Sequence, residues 1–399
     1  MKQHSSQSEI TVGYKYADII GRDETAVTAA LLLAESRGIN RVRILKGVYT
    51  CRNSIFLKPG IELSGEGNET ILQRSRPVES PVTKSVNHYE RVIRVKSPAL
   101  FPPGCGIRIT GAAWSSKEPV SARATVIARN GHDLLIDRPY LGETFWLEKG
   151  PVIASTLVPV ICGADVNHVA VENIQIDGNI QFKGMHYCAG DGIGLKNCHQ
   201  VNIRNIYSHH NSADGIGFEI CNDVTVENCL LENNALPLHA GSGSLRMNVR
   251  NNKLINNQCG FYFCWGIQQG VLEDNEMRGN LTYGISVGFH DSHNIIRRNR
   301  VIANKEVGIL FRDAQYPNQS PCDDLVDGNL IENNGPKDGA LGIKIRFGAD
   351  DIKISRNKIR ETRRGQGTTG ILIEKTVGDV RLTGNLISGF EKDVLDCRK

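Results

Sequence analysis

The sequence predicts an all-β solenoid: a right-handed, single-stranded parallel β-helix with an N-terminal capping α-helix. Three observations lead there. A two-part motif recurs from about residue 165 to the C-terminus, with a period close to 23 residues. Short apolar-x-apolar pieces alternate within it, as strands require. Glycine is abundant, at 41 of 399 residues, while aromatics make up only 6%. That balance suits short strands and tight turns better than helix bundles.

One half of the motif is apolar-x-apolar-x-Asn-x-apolar. It occurs at 201–206, 224–229, 248–254, 271–277, 295–301, 325–331, 352–359 and 380–387. The other half is Gly-apolar-x-apolar, beginning at Gly192, Gly215, Gly260, Gly284, Gly308, Gly342 and Gly370, with Pro237 in the glycine position of the third copy. These give about eight rungs. The spacing widens to 34 residues between Gly308 and Gly342, where a Pro- and Asp-rich loop is inserted. Asparagine tolerates left-handed backbone and bonds to neighbouring backbone. Stacked asparagines also pair from rung to rung. The Asn column is therefore expected to be structural.

Upstream, residues 1–75 read as a cap helix followed by the first rungs. Residues 23–37 carry an apolar stripe of Val27, Leu31 and Ala34, and Gly38 stops the helix. Residues 76–160 break the repeat and read as an insertion flanking a groove, with a hairpin through Asn130-Gly131. Trp114, Tyr140 and Trp146 in this insertion are expected to pack rather than to meet ligand. Residues 161–399 are the regular rungs.

Composition narrows the function. Net charge is +4, too mild to imply nucleic acid. No apolar stretch is long enough for a membrane span. Eleven cysteines, many inside apolar strands, show neither a paired framework nor zinc spacing. The polar N-terminus shows no signal peptide, so the sequence as it stands is expected to be cytoplasmic, or secreted if a signal has been removed. The cations between Lys344 and Arg364 read as a solvated face, with a groove end attracting anionic glycan as the sharper alternative.

Alternation then places side chains. In the Gly-apolar-x-apolar strands the apolar residues point inward and the x positions outward. The first outward column reads Gly194, Gly217, His239, Tyr262, Ser286, Leu310, Lys344 and Leu372. The second reads Lys196, Glu219, Gly241, Cys264, Gly288, Arg312, Arg346 and Glu374. Titratable and aromatic groups beside a glycine floor suggest a binding site. The candidate catalytic residues are His239, Asp214, Glu219, His290 and Arg312. His239 is the leading general acid or base. Candidate substrate contacts are Asp191, Tyr262, Trp265, Ser242, Asp291, Asp313, Lys344 and Arg346. Asp191 and Asp214 precede glycines in turns, yet share adjacent rungs at a spacing that suits paired carboxylates. Arg312 either clamps a carboxylate or pairs with Asp313 or Glu219. His209-His210 falls in a turn, where a metal role is not expected.

With these residues in place, the chain resembles the pectate-lyase-like β-helix superfamily from about residue 17 onward. The resemblance implies a groove that acts on or binds glycans. Alginate epimerases of that superfamily are similar in cap and rung pattern, but their Asp-Pro-His signature is missing. Polygalacturonases are similar at Gly190-Asp191-Gly192-Ile193, Ala213-Asp214-Gly215-Ile216 and Ile343-Lys344-Ile345-Arg346, with His239 shifted by a rung. The expected partner is a poly- or oligosaccharide. The leading expectation is a uronate lyase acting by β-elimination; a glycoside hydrolase and a non-catalytic glycan-binding β-helix are the alternatives. No cofactor is expected. The resemblance leaves room for calcium, but the sequence shows no acidic cage for it.

Overall fold

The computed structural model describes residues 9–112, 119–139, 144–180, 192–313 and 319–398. Each regular rung contains three short strands separated by corners. In one rung these are Asp214–Glu219, Asn222–Glu227 and Leu230–Glu232; in the next, Leu236–Gly241, Asn248–Arg250 and Lys253–Ile255. Strands of successive rungs pair in parallel, producing three long faces.

The interior is a set of apolar columns. Ile193, Ile216, Leu238, Phe261, Ile285, Ile309, Ile343 and Ile371 are paired one to the next. All are fully buried. Beside them Phe218, Ala240 and Phe263 stack as large, small, large, which lets neighbouring rungs interdigitate. The other two faces contribute columns such as Val249, Leu272, Ile296 and Val326, and Leu254, Met277, Val301 and Ile331.

The corners are made by residues in the left-handed region. In one rung they are Ile220, Asp223, Asn228 and Asn233; two rungs later they are Gly266, Gln269, Asp274 and Gly279. The expectation that the motif asparagines take the left-handed conformation holds at Asn205 and Asn228 and needs correction from Asn252 onward. At one corner the left-handed residues are Asn251, Asp274, Arg298, Gly328, Arg356 and Gly384. The asparagine follows each of them and points inward. Asn252, Asn275, Asn299, Asn329, Asn357 and Asn385 form a continuous ladder. Each side-chain amide donates to the next Oδ1 at 2.9–3.1 Å. A second ladder runs through Asn257, Asn280, Asn304 and Asn334. These residues are almost wholly buried apart from the terminal Asn385. A left-handed non-glycine residue costs about 1–2 kcal/mol. A buried amide bonded on both sides offsets that cost and avoids orphaned donors.

The helix Glu24–Arg37 covers the first rungs. Asp23 caps it by accepting from the Thr25 and Ala26 N–H groups, and Gly38 ends it at φ 67°. Val27, Ala30, Leu31 and Ala34 are buried against the first strands. It is the cap expected from the sequence. Among the described residues, no helix is long and apolar enough to cross a membrane.

Residues 79–155 leave the solenoid as a six-stranded antiparallel sheet. Its own core includes Ile93, Phe101, Ile107, Val126 and Phe145. The strands Pro119–Asn130 and Asp133–Ile136 meet at Asn130 and Asp133 as a hairpin. Trp146 is 37% exposed; Trp114 and Tyr140 lie outside the described residues. The sheet is tied to the first rungs by Asn53, whose amide donates to the Thr125 hydroxyl at 3.0 Å.

The ladder account predicts a gradient of cost. Asn299→Ala strips partners from Asn275, Asn329 and the Leu272 carbonyl. It should lower unfolding free energy in urea by about 2–4 kcal/mol. Asn385→Ala, at the half-exposed end, should cost clearly less. Equal losses at the two positions would contradict a cooperative buried ladder.

Candidate active site

One of the three faces carries the outward columns described above. Gly194, Gly217, His239, Tyr262, Ser286, Leu310, Lys344 and Leu372 pair one to the next in register. Lys196, Glu219 and Gly241 form the start of the neighbouring column. Depth divides this face sharply.

At its centre, Asp214 and His239 form a buried pair. Asp214 Oδ2 lies 3.4 Å from His239 Nδ1. Asp214 is 1% exposed and His239 is fully buried. Gly217 makes room, since a Cβ there would overlap the Asp214 carboxylate. Burial alone disfavours an imidazolium. The Asp214 carboxylate and the Cys264 thiol outweigh it and push the His239 pKa up to about 10. The balance at His239 favours its protonated form. As a general acid or base reaching substrate directly it needs correction in one respect: it is covered. Asp214 is equally covered, and its carboxylate is engaged with His239.

Glu219 is half-buried beside this pair. Its Cγ and the His239 Cε1 lie 2.7 and 3.3 Å from where a Gly241 Cβ would stand, so glycine leaves them space. Burial raises the Glu219 pKa, with His239 opposing and Asp214 adding to the rise. Glu219, Asp214, Lys196 and Gly217 line a cleft of ≈ 180 Å³ that Arg123 of the inserted sheet closes on one side.

Arg312 follows the strand Val307–Phe311 and folds back across two rungs. It bonds to the Ser286 hydroxyl and, at 2.8 Å, to the Phe263 carbonyl. Its guanidinium lies 4.3 Å from the centre of the Tyr262 ring and 5.8 Å from that of Phe289. Gly288 is required beneath it, because a Cβ there would overlap the guanidinium. Of the two alternatives for Arg312, pairing with Asp313 or Glu219 does not occur. Asp313 instead meets Arg346 at 2.9 Å. Among the described residues no carboxylate forms an ion pair with Arg312, and its Nε is buried without a hydrogen-bond partner. Tyr262 is half-buried, and its ring meets His239 at 5.8 Å and Tyr283 at 6.4 Å. His239, Tyr262 and Arg312 thus form one continuous cluster.

The other candidates lie elsewhere. Asp291 is fully buried, and its two oxygens accept the Ile267 and Gly288 N–H groups at 2.9 and 2.7 Å. It latches a turn and offers nothing to a sugar, correcting its proposed role in binding. Burial pushes its pKa up to about 8. His290 is exposed at a left-handed corner, φ 57°. Trp265 is 50% exposed and packs on Phe289 at 5.5 Å. Ser242 precedes the equivalent corner one rung before Trp265. Lys344 meets Glu374 at 3.2 Å, and Arg346 lies 3.6 Å from the same carboxylate. The basic stretch beyond them is neutralised on the other faces, by Lys353–Asp323, Arg356–Asp327 and Arg360–Glu332 pairs. It forms a solvated ladder of ion pairs and not a cationic groove end. Asp191 lies outside the described residues. The structure adds Tyr283, Phe289, Cys264 and Arg123 to the cluster. The first three could have been found from the column positions and their flanks; Arg123 comes from the inserted sheet, whose approach no repeat announces.

The buried pair has a signature in stability. His239 titrates at about 10 in the folded chain against an ordinary value of 6.5. Its contribution is fully present below pH 6.5 and is lost as pH rises toward 10. Asp291, also raised, loses its contribution on the way up to pH 8. Unfolding free energy should therefore fall between pH 6.5 and 10, and His239→Gln should make the fall between pH 6.5 and 9 shallower, the buried thiols adding their own loss at higher pH. A variant profile parallel to the wild type there would contradict the charged pair.

Comparison with known proteins places this architecture. Residues 160–319 match the family model described as right handed beta helix region. No curated protein matches the chain. Among solved structures, the mannuronan C-5 epimerase AlgE6 A-module of Azotobacter vinelandii superposes with a TM-score of 0.56 at 13% identity, covering 94% of this chain and 92% of that one. PfbA, a surface adhesin of Streptococcus pneumoniae, gives 0.58 at 11% identity, covering 94% and 88%. The Dettilon tailspike protein gives 0.57 at 10% identity, with 93% of this chain matched to 62% of the tailspike. The chain is a right-handed parallel β-helix.

Proposed function

We propose that the chain is a carbohydrate-active enzyme that cleaves a uronic-acid polysaccharide by β-elimination on this face. The observation that carries the reading is Arg312: a guanidinium held over Tyr262 that forms no direct ion pair with a carboxylate of the described residues, Asp291 attracting it only from a distance. Such a group suits a uronate carboxylate. Two structural neighbours are, by their names, a mannuronan epimerase and a tailspike, which is consistent with a glycan ligand.

The chemistry follows from the positions. Arg312 pairs with the uronate carboxylate and stabilises the charge that spreads onto it as the C5 proton leaves. Tyr262, beside Arg312, takes that proton as its phenolate and ends the step as the neutral phenol. The C5–H electron pair becomes the C4–C5 double bond, and the C4–O bond breaks. Glu219, favoured in its protonated form by burial, gives a proton to the departing oxygen. The His239 imidazolium, edge-on to Tyr262, adds positive charge behind the reacting centre. His239 and Asp214 are positioning residues in this scheme, since neither is exposed.

Glu219 favours one other reading, a glycoside hydrolase in which it is the general acid. That reading lacks an exposed second carboxylate among the described residues of this cluster, because Asp214 is buried against His239.

The test is incubation with a panel of uronic, neutral and sulfated glycans. A lyase creates an unsaturated product that absorbs in the ultraviolet together with each new reducing end. Reducing ends without that absorbance would indicate hydrolysis; neither signal, with retained binding, would indicate a glycan-binding protein. Arg312→Ala should lower kcat/KM by about 10²–10³-fold, and Tyr262→Phe by about 10²–10⁴-fold. Gly288→Ala should resemble Arg312→Ala while leaving the fold intact, by displacing the guanidinium. Lys353→Ala, on another face, should be neutral. Full elimination activity in Arg312→Ala would overturn the assignment.

A further inference from the structure

Away from the groove floor, one corner gathers three metal-ligating side chains. Asp177 ends one lateral strand, and His209 is its in-register partner on the next rung. His210 follows at a left-handed corner, φ 54°. In an extended strand, consecutive side chains point to opposite faces. The left-handed corner breaks that alternation and turns the two imidazoles toward each other. Their Nδ1 atoms lie 2.6 Å apart. His209 Nδ1 is 3.7 Å from Asp177 Oδ1. One ligand atom from each of the three residues lies within 4.8 Å of the others.

The surroundings fix these groups. Gln73 donates to Asp177 Oδ2 at 2.9 Å and the Asn179 N–H to Oδ1 at 2.8 Å, so Oδ1 keeps one lone pair on the histidine side. The Gln175 side-chain amide lies 2.9 Å from His209 Nε2, and the Tyr207 ring packs 4.5 Å from the His209 ring. It is the Gln175 Nε2 that faces the ring; turning this amide over would let Gln175 accept from Nε2–H and leave the Nδ1 lone pair for a metal. This is the outer support a ligating histidine has. His209 is only 7% exposed, whereas His210 is exposed and can move. Two nitrogens on one tetrahedral zinc lie about 3.3 Å apart, given bonds of about 2.0–2.1 Å. Opening the pair by about 0.7 Å through His210 is all that binding requires.

We propose that Asp177, His209 and His210 bind a divalent transition-metal ion of the zinc class, with two imidazole nitrogens and one carboxylate oxygen as protein ligands. The ion clamps two adjacent rungs at the corner that leads, four residues on, into Asp214. The turn pair set aside in the sequence is a site because Asp177, 32 residues upstream of His209, stacks beneath it.

The test is titration of the full chain with Co²⁺ and then Zn²⁺ alone. One Co²⁺ per chain should bind with a visible spectrum of nitrogen and oxygen ligation, without a thiolate charge-transfer band, and Zn²⁺ should displace it. His210→Ala and Asp177→Asn should abolish stoichiometric binding while the circular dichroism spectrum is retained. Gln175→Leu should weaken binding by about tenfold. Wild-type Zn²⁺ should raise Tm, and the rise should vanish in His210→Ala. Absence of saturable binding, a thiolate band, or unchanged affinity in both ligand variants would overturn the site. None of these readouts depends on glycan activity.

Discussion

Rung-to-rung register holds the groove together. Strand side chains alternate, so a slip of one residue between the Asp214–Glu219 and Leu236–Gly241 strands would turn His239 inward and Leu238 outward. Parallel strand hydrogen bonds repeat evenly along the chain and resist such a slip only weakly on their own. The buried asparagine ladders supply the specificity. Each amide has one position in which its Oδ1 meets the neighbouring rung's N–H groups while its Nδ2 meets a carbonyl. Any other register buries these groups unpaired, at a cost of about 1–3 kcal/mol each. The left-handed residue before each asparagine is what aims it inward.

On that frame the groove is built by depth. The same outward column holds a glycine floor, a covered imidazolium and a half-exposed tyrosine. Glycines 217, 241 and 288 each admit one neighbouring group, respectively the Asp214 carboxylate, the Glu219–His239 contact and the Arg312 guanidinium. Positive charge is concentrated in a place of low water content, where its effect on a developing anion is large. Direct ion pairing with Arg312 is prevented: Asp214 faces His239, Asp313 faces Arg346, and Asp291 spends both oxygens on backbone N–H groups while attracting Arg312 only from a distance.

How much of this was legible in the sequence depended on periodicity. The columns could be read directly, since a repeat near 23 residues with period-2 strands fixes which residues share a face. The cap helix was legible from Asp23, the Val27-Leu31-Ala34 stripe and Gly38. Depth was not legible. An outward His239 looks the same in sequence whether covered or open. The course of a long side chain was not legible either: Arg312 reaches two rungs back because Gly288 lets it, and no pairwise pattern records that. Lys344 and Arg346 read as groove cations because Glu374 and Asp313 lie in other rungs. Asp177 escaped notice because its partners are a whole rung away, while His209-His210 alone resembles an ordinary turn.

The most direct measurement of the central claim is a crystal structure of the protein with a uronic-acid oligosaccharide, using Tyr262→Phe to prevent turnover. The account predicts a sugar along the His239–Tyr262–Arg312 face. Its carboxylate should sit within hydrogen-bond distance of Arg312, and its C5 should lie over residue 262. A sugar bound away from this face, or one that turns its carboxylate from Arg312 toward Lys344 and Arg346, would contradict it.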